Sequence, residues 1–358
     1  MKPSRLITAV AFSLLVTLTI ALALKSRITA QSNLTAQTTA ANQSQAAQKT
    51  NYRLSGPYTH KNLTIFLVHG RDLYPGRTFL TLQEALAQKK VVVYETKDVN
   101  ELAIRNFSNQ EVYVQAGDIV KGGDQDRMIS VDFIVPPRSK RMPIAAFCVE
   151  SGRWNRRGNE SSASFSASEN VVTSKDLKLA AKSANSQQAV WENVKVVQDK
   201  LSENLNTTVN SGVSVSSLEL AVENTKVKES IEDYIKALSA ITRNKSDVIG
   251  YVFAINGEVN SADIYASRAL FAKLWPKLLK ANATEAISEL QDGSPATPVT
   301  DESIHGFLAD AESGAETEKA VTSRVNLVTR EDSKNVFFET RDRAQKGAWI
   351  HRNYIKKD

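Results

Sequence analysis

The spacing of apolar and polar positions changes midway along the chain. Up to residue 154, apolar residues mostly alternate with polar ones, as Leu63 and Ile65 do. This period of two is typical of strands in an antiparallel sheet, sandwich or barrel. Beyond residue 186, apolar residues such as Val190 and Val194 recur at helical spacing. The pattern predicts an α+β fold. An N-terminal antiparallel β-rich part, sandwich- or barrel-like, is followed by a helical and mixed α/β part.

Local signals place several of these elements. Thr81 and Glu84 form a capping box that predicts the start of a short helix. Asn256-Gly257 is the preferred pair for a type I′ turn and predicts a hairpin. Ser267 is predicted to cap a helix that bends near Pro276. Strands are predicted at 58–68, 91–95, 101–107, 111–115, 128–135, 141–149, 246–255, 258–265, 324–328, 335–340 and 348–354.

The first 30 residues carry the features of a targeting segment. Lys2 and Arg5 precede an uncharged run from Leu6 to Leu24, which is just long enough to span a bilayer. Residues 1–30 are therefore predicted to be a cleaved signal peptide or a retained N-terminal anchor. Either outcome places the body of the chain in the periplasm or outside the cell. Contact with a membrane is expected only through residues 6–24, if they are not removed.

Composition divides the remaining chain. Residues 31–51 contain Gln, Ala, Thr, Asn and Ser with almost no large apolar residue, which is typical of a disordered linker. Residues 52–154 form the predicted β-rich subdomain. Residues 155–186 contain eight serines and few large apolar residues, so a long flexible loop or a lid is predicted there. Residues 187–358 form a predicted helix-plus-hairpin subdomain, packed with the first as one domain.

Charge and cysteine content exclude several classes of function. Four of the 45 basic residues and none of the 39 acidic residues lie in the first 30 positions, so the body carries a net charge of only +2. This balance argues against nucleic-acid binding. Cys148 is the only cysteine, so no intrachain disulfide can form. Its apolar neighbours predict a buried, inert thiol. No metal site and no cofactor is predicted. The histidines fit no metal-ligand spacing, and Arg127 argues against a divalent cation held by Asp124, Asp126 and Glu150.

Two polar clusters flank the apolar runs between Gly117 and Trp154, and they are the strongest candidates for a site. Consecutive glycines let a ligand approach backbone N–H groups, arginine offers a planar fork to phosphate or carboxylate, and tryptophan offers a stacking face. A carboxyl at the end of an apolar strand could act as an acid or base. The candidate ligand-binding residues of the two clusters are Gly122, Gly123, Gln125, Arg127, Arg153 and Trp154. The candidate catalytic residues are Asp126 and Glu150.

Each feature also has a structural explanation. Gly122-Gly123 could be a tight turn between strands, since the motif lacks the spacing of a dinucleotide fingerprint or a Walker loop. Glu150 and Arg153 could form a structural ion pair, with Trp154 in the core. Gln188 and Trp191 follow the predicted loop and could close over a site, although core packing explains Trp191 equally well.

The order of these motifs resembles one protein family. The motifs are Gly122-Gly123-x-Gln125-x-Arg127, Val135-Pro136-Pro137, Cys148-Val149-Glu150-x-Gly152-Arg153-Trp154 and Gln188-x-Val190-Trp191. Over residues 58–354 the chain resembles the ARG and rhodanese-phosphatase-superfamily-associated protein domain, where ARG means ADP-ribosylglycohydrolase. The family name implies an association with ADP-ribose and NAD metabolism. It implies no established activity.

Two hypotheses follow from the sequence. In the first, an exported domain binds or processes a small phosphate-, nucleotide- or ADP-ribose-like anion: Arg127 and Arg153 hold the anion, and Trp154 stacks on it. In the second, the domain is a non-catalytic exported structural or protein-interaction module. The first hypothesis requires Arg127, Glu150 and Arg153 to converge on one concave pocket.

Overall fold

A computed structural model describes residues 52–172, 174–291, 298–345 and 348–357. These residues all belong to one compact unit, residues 51–358. The predicted leader and linker, residues 1–51, lie outside the described residues. None of the helices in the described ranges has the length and apolar character needed to cross a bilayer.

Strands predominate up to Val171, helices predominate from Lys175 to Leu238, and both types occur from Val248 onward. Two short 3₁₀ turns, Ser239–Thr242 and Arg343–Gln345, complete the described elements. The strands are β1 (Arg53–His60), β2 (Leu63–His69), β3 (Leu80–Thr81), β4 (Val91–Asp98), β5 (Glu101–Asn106), β6 (Val112–Val114), β7 (Asp118–Gly122), β8 (Arg127–Ile129), β9 (Phe133–Val135), β10 (Met142–Cys148), β11 (Ser164–Val171), β12 (Val248–Ile255), β13 (Glu258–Tyr265), β14 (Ala315–Ala320), β15 (Val325–Glu331), β16 (Asn335–Asp342) and β17 (Ala348–Lys356). The helices are α1 (Leu82–Ala87), α2 (Lys175–Lys182), α3 (Gln187–Asn204), α4 (Leu218–Val222), α5 (Thr225–Leu238), α6 (Arg268–Ser288) and α7 (Asp301–Glu312).

Six strands from the first half close into a barrel in the order β10-β5-β4-β11-β7-β8. Antiparallel pairing of β8 with β10 closes the ring, with Arg127 opposite Cys148. A small sheet has the strand order β3-β6-β9, and its strands alternate along the chain with those of the barrel. Strands β3 and β6 are parallel. The predicted α+β class with a barrel-like β-rich N-terminal part is confirmed.

The second sheet has eight strands in the order β1-β2-β12-β13-β17-β16-β15-β14. All eight positions of β12 are buried, because α6 packs on one face and α7 on the other. Tyr251 and Phe253 belong to the core under α6, whereas Ile249 and Val252 belong to the core under α7. Hairpin β1–β2 pairs with β12, so the two halves of the sequence share this sheet.

Several local predictions are confirmed. Thr81 and Glu84 form both hydrogen bonds of a capping box, and Ser267 caps α6, which contains Pro276. Asn256 and Gly257 adopt φ of 52° and 80°, as a type I′ turn requires.

Other predictions were wrong in their boundaries. The strand predicted at 58–68 is a hairpin that turns at Lys61, whose φ is 49°. The strand predicted at 128–135 is divided into β8 and β9, with the buried Asp132 between them.

The largest difference concerns residues 155–186, where a long loop was predicted. Strand β11 and helix α2 lie within this segment. Strand β11 alternates Phe165 and Ala167 with polar residues, and it pairs with β4 and β7. These partners precede it by more than 40 residues. The strand is therefore stabilised by long-range pairing, which its serine-rich composition does not indicate. Residues 292–297 of the predicted Gly/Pro loop lie outside the described residues.

Candidate functional site

The two glycines of the first predicted cluster lie where β7 ends against β11. Gly122 and Gly123 have φ of 127° and 57°, which disfavour any residue with a side chain. A Cβ on Gly123 would lie 2.5 Å from both Glu95 Oε2 and the ring of Phe165. Close packing inside the barrel is therefore sufficient to explain glycine at position 123.

The turn after these glycines brings the two predicted catalytic carboxyls together. Asp126 and Glu150 are both fully buried, and the Asp126 N–H donates to Glu150 Oε2 at 3.2 Å. Arg153 donates to Glu150 from Nε at 2.9 Å, and its Nη2 lies 2.7 Å from Glu150 Oε2 and 3.4 Å from Asp126 Oδ1. Asp126, Glu150 and Arg153 thus form one buried cluster.

A second arginine, which the sequence analysis did not single out, completes this cluster. Arg157 Nη1 lies 3.0 Å from Asp126 Oδ2, and Arg157 Nη2 lies 2.8 Å from Glu160 Oε1. The cluster therefore contains two guanidiniums and three carboxylates, two of them fully buried. The basic pair Arg156-Arg157 was visible in the sequence, but only the fold shows that Arg157 returns to the turn at Asp126.

Asp126 and Glu150 differ in pKa, although both are buried. Burial raises the pKa of Asp126 to about 7; the neighbouring Glu150 charge adds to this rise, and Arg157 opposes it. Burial also acts on Glu150, but the hydrogen bond from Arg153 outweighs it and lowers the pKa of Glu150 below its usual value. Near neutral pH, Glu150 is ionised and Asp126 is close to half protonated. Two carboxyls with divergent pKa values in one site are typical of an acid–base pair.

The raised pKa of Asp126 predicts a specific pH dependence of stability. The folded protein binds this proton more tightly than the unfolded chain, in which the pKa is about 3.9. The free energy of unfolding should therefore fall as pH rises from about 4 to about 7 and level off above pH 7. Asp126→Asn removes the titration, so the wild-type-minus-variant difference should fall by about 3 kcal/mol over this range, from roughly 1.4 kcal/mol per pKa unit. Urea unfolding at pH 5, 6, 7 and 8 measures this difference, and a pH-independent difference would contradict the assignment.

Arg127 does not join this cluster. Its Nη1 donates to the carbonyls of Asp98 and Val99 at 3.0 and 2.9 Å, and its Nη2 lies 3.4 Å from Glu95. Position 127 pairs with Cys148 and Val120, and the side chain reaches the turn between β4 and β5. Arg127 therefore has a structural ion pair, and the convergence required of Arg127, Glu150 and Arg153 is met by Glu150 and Arg153 only.

Cys148 is a buried thiol beside this pair. Burial raises the pKa of the thiol to about 11, which keeps it protonated and unreactive near neutral pH. The Gln187 side chain accepts from the Cys148 N–H and donates to its carbonyl, both at 2.8 Å. Gln187 thus ties the start of α3 to β10.

An open groove of about 520 Å³ lies outside the arginine layer, between residues 152–158 and 212–216. Trp154 lies in this groove with 58% of its surface exposed, so it is not a core residue. Val213 and Val215 on the opposite wall are 70% and 65% exposed. Arg156 is also exposed and makes no ion pair with the described residues. Arg153 and Arg157 line the same groove while they hold the buried carboxyls.

Gln188 and Trp191 line a neighbouring groove, which shares Val215 and Ser216 with the first. Gln188 donates to Glu192 at 2.8 Å, and the Trp191 indole N–H is buried without an acceptor among the described residues. These two predicted residues are therefore separated from Trp154 by the loop at 212–216. Nothing in the sequence analysis indicated this loop, although two valines among serines and a glycine would suit an exposed apolar edge.

Gln125 occupies the centre of the first cluster. It is fully buried, and neither its amide oxygen nor its amide nitrogen has a hydrogen-bond partner among the described residues. An unpaired buried amide destabilises a fold by about 1–3 kcal/mol.

In the described part of the chain, no group of three or more His, Cys, Asp or Glu residues is placed to hold a metal ion.

Comparison with known proteins gives one match. No curated protein and no solved structure matches the chain. The family profile of the ARG and Rhodanese-Phosphatase-superfamily-associated Protein domain matches residues 51–355, which includes the barrel, both sheets and the groove. The resemblance inferred from the motifs is thereby confirmed, and the chain belongs to the ARG and Rhodanese-Phosphatase-superfamily-associated Protein domain family.

Proposed function

We propose that this domain binds a small phosphorylated ligand with a flat ring, of the nucleotide or ADP-ribose type, in the groove beside Trp154. The observation that carries the proposal is the exposed Trp154 indole in the same groove as the unpaired Arg156 guanidinium. An indole face stacks on a base, and a guanidinium binds phosphate. The groove volume of about 520 Å³ suits a ligand of this size.

The apolar content of the groove supports a ligand that is partly aromatic. Trp154, Val213 and Val215 are three of the most exposed large apolar side chains among the described residues, and all three line this groove. Contiguous exposed apolar surface with a polar rim marks binding sites more often than isolated exposed residues do. A free phosphate would leave this surface uncovered, whereas a base or another planar ring would cover it.

The buried carboxyl pair suggests a second role, in acid–base chemistry on a bound ligand. Glu150 has the ionisation of a base, and Asp126 has that of an acid, but both are fully buried beneath Arg153 and Arg157. A ligand could reach Asp126 only after Arg157 had left it. We therefore propose ligand binding as the function. Asp126 and Glu150 are the candidate acid–base pair for any reaction of the bound ligand.

The alternative is an exported module that uses the same groove to contact a protein. The exposed valines favour this alternative, because they would suit an apolar side chain of a partner equally well. Export itself remains a proposal that rests on the apolar run of residues 6–24. The two functions differ in whether a small phosphorylated molecule is sufficient to occupy the groove.

A thermal-shift panel of ADP-ribose, NAD, nucleotides and phosphosugars tests the proposal. At a ligand concentration of about 100 Kd, binding should stabilise the wild-type domain by about 2.7 kcal/mol. Trp154→Ala and Arg156→Ala should each abolish most of this shift, because they remove the stacking face and the free cation. Phe107→Ala and Arg71→Ala are the matched controls, since both residues are exposed and lie outside the groove.

The outcomes separate the two functions. A shift that requires Trp154 and disappears for the unphosphorylated nucleoside supports the proposal. A flat response across the panel would leave the protein-interaction module as the better account. A shift that persists in Trp154→Ala would place the ligand elsewhere in the molecule.

A further inference from the structure

A second buried polar network lies where β13 and β17 pair, away from the Trp154 groove. His351 Nδ1 lies 3.1 Å from Asp132 Oδ2, and His351 Nε2 lies 3.0 Å from Asp263 Oδ1. All three side chains are at most 4% exposed. The Tyr265 ring stacks on the imidazole at 4.3 Å. Both ring nitrogens therefore face carboxylates inside the core.

This arrangement holds His351 as a cation. Burial alone would lower the pKa of His351, but Asp132 and Asp263 outweigh it and raise the pKa above its usual value. Asp132 also accepts from the Ala116 N–H at 2.8 Å and from Thr340 Oγ1 at 2.8 Å. With both carboxylates ionised and both imidazole nitrogens donating, the triad carries a net charge of −1.

Two lysines from α2 add positive charge beside this triad. Lys178 and Lys182 are one helical turn apart and line a small cavity together with Asp263 and His351. Lys182 donates to Asn353 Oδ1 at 3.2 Å. The Lys178 ammonium makes no hydrogen bond or ion pair within the described ranges. Burial lowers the pKa of Lys182. While both lysines are protonated, the group formed by the triad and the two lysines carries a net charge of +1.

Asn282 supplies an unpaired donor to the same cavity. The residue is 1% exposed, and its Nδ2 has no acceptor among the described residues. Its Oδ1 lies 3.4 Å from the Tyr251 hydroxyl, whose single hydrogen is shared with Asp263 Oδ2 at 3.0 Å. Glu285, another carboxyl near Lys178, lies outside the cavity lining and accepts from the Lys175 N–H and from Asn260.

We propose that this cavity binds one chloride-sized monovalent anion. Two ammonium groups and the Asn282 amide provide donors, and a single negative charge would neutralise the surplus of the group. The cavity offers about 20 Å³, which exceeds the roughly 10–15 Å³ needed for one water-sized particle. It is too small for the phosphorylated ligand assigned to the Trp154 groove, so this site is independent of that proposal.

Anion-dependent stability tests the site. Thermal unfolding in sodium chloride is compared with unfolding in sodium gluconate at equal ionic strength, because gluconate is too large for the cavity. The wild-type protein should show a saturable rise in Tm of at least about 2 °C in chloride. The ³⁵Cl resonance should broaden with wild-type protein, as chloride exchanges with the site.

Two variants and a control assign the effect to the cavity. Lys178→Met should abolish both the Tm response and the broadening, whereas Lys228→Met, at an exposed lysine on α5, should leave both unchanged. Asn282→Asp keeps the oxygen that accepts from Tyr251 and introduces a carboxylate beside Lys178. This variant should be insensitive to chloride.

Each outcome decides the proposal. If Lys178→Met fails to fold, the nearly isosteric Asn282→Asp variant still tests the site. Equal Tm values for wild type in chloride and gluconate would show that water alone fills the cavity. A chloride response that survives in Asn282→Asp would place the anion elsewhere and overturn the assignment.

Discussion

Substitution of Arg153 by alanine is expected to destabilise the domain by about 3–5 kcal/mol, the range for removing one partner of a buried ion pair. Arg153 is only 8% exposed and contacts Glu150, Asp126 and the carbonyls of Gly123 and Asn155. Its removal leaves the ionised Glu150 buried without its closest cation. Urea unfolding of Arg153→Ala measures the loss.

The neighbouring arginine provides the control for this prediction. Arg156→Ala removes an exposed cation and should change stability by no more than about 0.5 kcal/mol. Adding Glu150→Gln to Arg153→Ala should recover part of the loss, because the uncompensated charge is removed as well. A loss below about 1 kcal/mol for Arg153→Ala would show that the network does not stabilise the fold. Because of this expected instability, Arg153→Ala is a less specific test of ligand binding than Trp154→Ala or Arg156→Ala.

Substitution of His351 by leucine should have an effect of similar size at pH 7.5, about 3–5 kcal/mol. The change leaves Asp132 and Asp263 buried without the imidazolium that bridges them. In wild type, His351 lowers the pKa of both carboxyls, so these contributions to stability are present at neutral pH and are lost in acid. In the variant, burial should raise the carboxyl pKa values, and proton uptake then stabilises the folded state as pH falls.

The pH dependence distinguishes this charge effect from simple loss of packing. Because the raised pKa of His351 makes wild type itself more stable as pH falls to about 6.5, the stability gap between wild type and His351→Leu is compared at pH 6.5 and pH 5, and it should narrow over that range. His305→Leu on α7, at a histidine outside this network, should leave stability nearly unchanged at both values. Chemical unfolding of the three proteins at the two pH values gives the six stabilities required. A gap that is constant with pH would indicate a cavity effect and contradict the proposed charge state of His351.

Sequence signals predicted the parts of the fold that depend on neighbouring residues. The Thr81 capping box and the Asn256-Gly257 turn are formed within four residues, so their geometry follows from residue type. The convergence of Glu150 with Arg153 was also predictable, because the two are three residues apart. Strand β11 was not predictable, since its polar sequence becomes a strand only between β4 and β7.

The features that the sequence did not reveal depend on long-range pairing. His351 meets Asp132 across 219 positions and Asp263 across 88, and no local motif links them. Arg127 lies beside Asp126 in sequence, yet it belongs to a different ion pair with Glu95. Asp126 lies in the turn before β8, whereas Arg127 is the first residue of that strand, so their nearness in sequence does not bring them to one site. The sequence allows Trp154 to be either a core residue or a ligand contact. Only the fold shows that its side chain is exposed in a groove.

The central claim is that the Trp154 groove receives the ligand. The most direct measurement follows the four tryptophan indole N–H signals by two-dimensional NMR during titration with ADP-ribose and with the other panel ligands. Trp154→Phe assigns the Trp154 signal. The account predicts that this signal shifts and saturates, while Trp275, buried and bonded to the Ser239 carbonyl at 3.1 Å, stays unchanged. A Trp154 signal that does not move with any phosphorylated ligand would contradict it.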